Sequence, residues 1–162
     1  MRFPEPQQEH EWLQQLVGDW AYEHTSACEP GETPQVFRGT QRTRSLGKLW
    51  IIGDGTGDMP GGGKAYTQIT LGFDPRRNRF VGTWIGSMMT HLWLYNGGLD
   101  GERKVLTLDS EGPSFTDASK MAKYQDIFTF VNIDHHALTS RVLGDDGKWV
   151  EFMRADYRRN SR

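Results

Sequence analysis

Turn-forming residues interrupt this chain at intervals too short for helices and well matched to strands. Pro30-Gly31, Met59-Pro60-Gly61-Gly62-Gly63, Asp74-Pro75-Arg76-Arg77-Asn78, Leu99-Asp100-Gly101 and Gly144-Asp145-Asp146-Gly147 each bring a fixed φ, a permissive φ, or both. Glycine supplies 19 and proline 7 of the 162 residues, mostly between apolar stretches. A chain punctuated this way has room for many short strands and little else.

The intervening segments bear that out by their alternation. In the first, Trp20, Tyr22 and His24 share one face, and Asp19, Glu23 and Thr25 the other. Ten such segments are predicted: 19–27, 36–46, 49–57, 65–73, 80–86, 91–95, 105–110, 124–132, 137–143 and 149–157. Only residues 7–17 have a helical pattern, with Trp12, Leu13, Leu16 and Val17 on one face, Glu9 and Glu11 early, and Gly18 at the C-terminal cap. A helix so short needs something to pack on, and the end of a barrel is the natural place. The fold predicted is all-β: an up-and-down antiparallel barrel of about ten strands, with a short N-terminal helix closing one end. It forms a single domain over 1–162, with 1–17 as arm and capping helix and 18–158 as barrel. Short turns throughout leave no long crossover for a two-sheet Greek-key sandwich.

Composition narrows the function classes. Hydrophobic residues are 36% and charged residues 25%, enough apolar surface for an ordered core. A formal charge of -2 argues against nucleic acid or an anionic membrane surface as partner. Cys28 is the single cysteine, so no intramolecular disulfide framework is expected. Neither a membrane-length apolar run nor the apolar core of a signal peptide is present, which points to the cytoplasm.

Gly18-x-Trp20, at the junction of helix and first strand, resembles the Gly-x-Trp signature of the calycins. The match becomes more specific further on. Glu9-His10-x-Trp12-Leu13-x-x-Leu16-Val17-Gly18-x-Trp20, Gly72-Phe73-Asp74-Pro75 and Phe80-Val81-Gly82-Thr83-Trp84-Ile85-Gly86-Ser87-Met88 together resemble the bacterial DUF1579 family of uncharacterised proteins. Leu106-Thr107-Leu108-x-Ser110-Glu111-Gly112-Pro113 and Asp146-Gly147-x-Trp149 extend the likeness to the end of the chain. The resemblance implies a calycin-like barrel and no agreed activity. It also implies an arginine laid on Trp20 from the last strand, Arg154 or Arg158.

Strand parity gives the candidate site. His91, Trp93 and Tyr95 share one face and Leu92 and Leu94 the other. With the first set turned inward, they stand beside Trp84 or Ser87 and opposite Tyr22 and His24, giving aromatic walls with two imidazoles. Such a cavity suits a small, partly apolar or aromatic molecule, neutral or anionic. The alternative is an isomerase- or lyase-type enzyme in the same cavity, with His91 as acid/base. A further alternative is an interaction module whose barrel is filled by its own side chains.

No other chemistry finds an anchor, and no cofactor is expected. None of His10, His24, His91, His135 and His136 has metal-ligand spacing, and His135-His136 reads as a solvated pair at a turn. The haem-binding nitrobindin branch of the calycins carries a histidine near the last strand, which 149–157 lacks. Cys28 has no basic neighbour to activate it. Gly53-Asp54-Gly55-Thr56-Gly57-Asp58 lacks the following helix that a phosphate loop needs, and reads as a bent strand or β-bulge at a barrel corner. Tyr124, Asp126, Arg141 and Glu151 are acid–base candidates that are expected mostly to face water. Finally, neither face of 80–86 or of 91–95 is polar, which predicts a homodimer through these strands.

Overall fold

A computed structural model describes residues 1–26 and 33–160. Cys28 and the turn expected at Pro30-Gly31 lie outside the described residues. One helix, α1 (Gln8–Gln14), precedes ten strands: β1 (Gly18–Ser26), β2 (Val36–Leu46), β3 (Trp50–Asp58), β4 (Lys64–Asp74), β5 (Arg79–Gly86), β6 (Trp93–Leu99), β7 (Val105–Pro113), β8 (Met121–Asn132), β9 (His135–Leu143) and β10 (Trp149–Arg159). All pairings are antiparallel, each strand joins its neighbours in sequence, and β1 closes on β10. The fold is a closed up-and-down barrel of ten strands.

The helix is shorter than the apolar stripe suggested. Beyond Gln14 the chain tightens into a turn in which the Leu16 N–H reaches the Leu13 carbonyl (3.0 Å) and the Val17 N–H the Gln14 carbonyl (3.2 Å). Gly18 then enters β1 at φ 141°, a value that suits glycine. His10 fastens the helix start: its Nδ1 accepts the Gln7 N–H (2.9 Å) and its Nε2 donates to the Phe73 carbonyl (3.0 Å). Trp12 Nε1 donates to the Arg103 carbonyl (2.7 Å).

This end of the barrel is solid. Trp12, Leu13 and Leu16 pack with Ile51, Leu71, Phe73, Phe80, Leu106, Leu108 and Phe128 in one apolar cluster. Trp20 is 1% exposed and its Nε1 donates to the Leu16 carbonyl (2.9 Å). An arginine does lie on the indole, but it is Arg159, at 4.3 Å, and not Arg154 or Arg158. Parity explains the correction: Tyr157 and Arg159 pair with Tyr22 and Trp20 and share their inward face, so 154 and 158 point out. Arg159 also donates to the carbonyls of Gln15 (3.1 Å), Val17 (2.8 Å) and Ile133 (2.9 Å). It ties helix, first strand and last strand together, and the barrel runs one residue beyond the expected limit of 158.

The glycine-rich stretch in β3 is neither a phosphate loop nor a bend. Gly53, Gly55 and Gly57 face inward on a regular strand while Asp54, Thr56 and Asp58 face out. A Cβ on Gly57 would stand 2.1 Å from the Tyr22 hydroxyl, and one on Gly39 would stand 2.3 Å from the Tyr22 ring. These missing side chains are what allow the Tyr22 ring to lie across the wall.

Candidate functional site

Above the apolar plug, toward the ends of β1, β3, β5, β7 and β9, the inward side chains change character. Inward residues here keep accessible surface although they point into the barrel: Tyr22 and His24 on β1, Trp84 on β5 and Asp126 on β8. Trp93 and Tyr95 on β6 are buried, whereas Leu92 and Leu94 are exposed. Each placement follows from strand alternation against a core on one side.

The six residues singled out in the sequence do not form one contiguous patch. Trp84 pairs directly with Trp93 across β5 and β6. His91 lies just before β6, not within a strand beginning at 91. Its ring meets Trp93 edge-on at 4.7 Å, and its Nε2 donates to the Glu111 carbonyl (2.9 Å). Tyr22 and His24 stand on β1, five places from β6 in the ring of ten and so across the barrel. There His24 packs on Phe37 at 5.0 Å and Tyr22 on Tyr157 at 5.1 Å. Burial lowers the His24 pKa from its ordinary value, favouring the neutral ring, and raises that of Tyr22, with the nearby Asp58 charge adding to it.

What links the two sides is a group expected to face water. Asp126 turns inward. One carboxylate oxygen accepts from the Ser140 hydroxyl (2.6 Å) and the other from the Tyr95 hydroxyl. Burial raises the Asp126 pKa, while its two hydrogen bonds favour the ionised form. Burial and the neighbouring carboxylate together hold the Tyr95 phenol well above its ordinary value. Sequence parity carried the signal: Tyr124-x-Asp126-x-Phe128-x-Phe130 places the carboxylate on an aromatic face. Tyr124 also turns in, and its hydroxyl donates to the Pro113 carbonyl (2.6 Å). Arg141 and Glu151 pair with each other on the outer face, as expected.

His136 is the second correction. It is 4% exposed, not solvated, because it sits within β9 on the inward parity. Its ring stacks on Tyr157 (4.9 Å, 10°) and meets Trp20 edge-on (4.5 Å). Burial, then the charges of His135 and Arg159, push its pKa down to about 4, so the ring is neutral at pH 7. Its neighbour His135 is the half-buried one, with Nε2 at 2.9 Å from Asp156.

β6 and β7 pair only from Asn96 to Leu99. Toward the open end they part, leaving a cleft of about 520 Å³. Its walls come from both faces of the sheet: Leu92, Leu94 and Glu111 from outside, Ser110 and Tyr124 from inside, with His91 at the lip. Among the described residues, no group of three or more His, Cys, Asp or Glu side chains converges as a metal site would require.

Residues 5–159 match the family described as "Protein of unknown function (DUF1579)". The chain belongs to the DUF1579 family. No curated protein matches it in sequence. Among solved structures it is similar to Rv2717c from M. tuberculosis, at 13% identity and TM-score 0.64, covering 97% of this chain and 100% of that one. It is also similar to the S-type phycobiliprotein lyase CPES from Guillardia theta, at 13% identity and TM-score 0.61, covering 97% and 99%. A third similar structure is EF1p2_mFAP2b bound to DFHBI, at 14% identity and TM-score 0.50, covering 94% and 99%. These likenesses establish the barrel. Among the described residues of this family member, no helix is long and apolar enough to cross a membrane.

Proposed function

We propose that this chain binds a small, partly apolar or aromatic molecule in the upper half of its barrel. The observation that carries the reading is the contrast between the two ends. The lower interior is packed solid, while inward-facing Tyr22, His24, Trp84 and Asp126 keep accessible surface above it. Tyr22, His24, Trp84, His91, Trp93 and Tyr95 supply the aromatic walls, and burial of apolar surface supplies most of the affinity. One similar structure holds DFHBI and another is a phycobiliprotein lyase, which supports the same use of the fold here.

His91 favours a second reading, an isomerase- or lyase-type reaction in the same cavity. Its Nε2 is engaged by the Glu111 carbonyl, so the neutral ring carries its acceptor on Nδ1. Native mass spectrometry of freshly purified protein identifies the bound molecule, and His91→Gln then separates the two readings. A binder keeps its affinity within about tenfold, whereas an enzyme loses about 10²–10⁴ of its rate. Protein that carries no molecule and takes up none would leave only the filled-barrel interaction module.

The exposed outer face of the β5–β6 hairpin, with Ile85, Leu92 and Leu94, supports pairing with a second copy of the chain through strands 80–86 and 91–95. The cytoplasm is the compartment that fits the sequence.

A further inference from the structure

Asp126, His136 and Tyr157 carry polar groups on the inward faces of β8, β9 and β10, and among the described residues only Asp126 has hydrogen-bond partners. Asp126 receives Ser140 and Tyr95. Tyr157 is 8% exposed and His136 is 4% exposed, yet among the described residues neither the phenol oxygen nor the imidazole has a hydrogen-bond partner. They are not sealed away either: Gln14 Nε2 is the fully enclosed side-chain polar atom left without a partner among the described residues. Polar groups without protein partners and not enclosed face a space open to water or a ligand. That space borders Asp126, whose negative charge reaches both the Tyr95 and Tyr157 phenols.

The charge balance of this space is one-sided. Each carboxylate oxygen of Asp126 accepts one hydrogen bond and has capacity for another. The inward guanidinium, Arg159, lies at the closed end and is engaged by the carbonyls of Gln15, Val17 and Ile133 and by the Trp20 ring. His136 is neutral. A ligand's anion therefore meets a carboxylate with no free cation among the described residues to offset it, while a ligand's N–H or O–H meets an acceptor already aligned.

We propose that Asp126 is the polar anchor of the barrel site, selecting flat ligands that present an N–H or O–H donor at their buried end and rejecting anions. The Tyr157 hydroxyl, within reach of the same carboxylate, extends the polar wall. This rests on the binding reading above and narrows the neutral or anionic ligand expected from the sequence to a neutral donor, because a carboxylate stands in the lumen.

Three probes on one skeleton test it by fluorescence titration of the full chain: N-phenyl-1-naphthylamine, its N-methyl derivative, and 8-anilinonaphthalene-1-sulfonate. The first has a donor and no charge, the second has neither, and the third adds an anion. The first is expected to bind about tenfold or more tighter than either of the others, as suits a hydrogen bond to a charged group. Asp126→Asn should bring the neutral arylamine and the sulfonate to within about threefold of each other. Equal affinities in the unmodified protein, or an unchanged preference in Asp126→Asn, would overturn the role of Asp126 and leave the binding reading standing. No response to any of the three would remove the binding reading and this proposal with it. The comparison among probes in the unmodified protein needs no variant to fold.

Discussion

Replacing His136 by phenylalanine should make the protein markedly more resistant to acid. The imidazole lies between Tyr157 and Trp20, almost wholly removed from water, and its pKa falls from 6.5 to about 4. Below pH 6.5 the unfolded chain takes up a proton that the folded chain refuses until about pH 4. The stability tied to this group is therefore fully present above pH 6.5, declines through the window from 6.5 to about 4, and is gone below it. That gap in pKa corresponds to about 3 kcal/mol. A phenyl ring keeps the stack on Tyr157 and cannot titrate, and no hydrogen bond from a described residue is lost with the imidazole. Urea melts of both proteins at pH 7 and pH 4 give four unfolding free energies. The original chain should lose about 2–3 kcal/mol more than the variant between the two pH values. Asp126 works in the opposite direction, since a raised carboxyl pKa adds stability as pH falls, but it is present in both proteins and cancels. Equal losses, within about 0.5 kcal/mol, would refute the argument that a buried neutral imidazole governs the acid limb.

Trp20→Ala removes the indole that joins helix, barrel wall and Arg159, and should cost about 3–5 kcal/mol in the same melts. A loss below about 1 kcal/mol would make the closed end peripheral to stability. The hairpin of β5 and β6 should bring two copies together, so light scattering at tens of micromolar should give twice the chain mass. Leu94→Lys on its exposed face should restore the single-chain mass without lowering the melting temperature.

How far the sequence spoke depended on what alternation can carry. Strand number, order and the capping helix were legible because punctuation and period-two alternation are local, and a meander asks for nothing more. Trp93 and Tyr95 could be paired on one face for the same reason. The sequence alone did not say which arginine would meet Trp20, because that depends on the register between two strands at opposite ends of the chain. A register shift of one residue exchanges the inner and outer faces. Asp126 and His136 were missed for another reason. Their residue types are normally solvated, and only the aromatic neighbours at i±2 signal that they turn inside. The parting of β6 from β7 has no evident sequence signal, since 93–95 and 110–112 alternate like any paired strands.

The Arg159 clamp also dictates when this barrel can finish. Nine of its ladders join strands that follow each other along the chain, and these can zip up one after another as the polypeptide emerges. The tenth must wait for the last strand and Arg159, which lies 142 and 144 positions downstream of the two carbonyls it will hold. Until then β1 presents a bare edge, and so does the most recent strand. At high concentration, the nearest complement to one molecule's β1 is another molecule's β10. Exchange of that final strand between nascent chains is thus the misassembly to which this architecture is most exposed, and weakening the clamp lengthens the time during which it can occur.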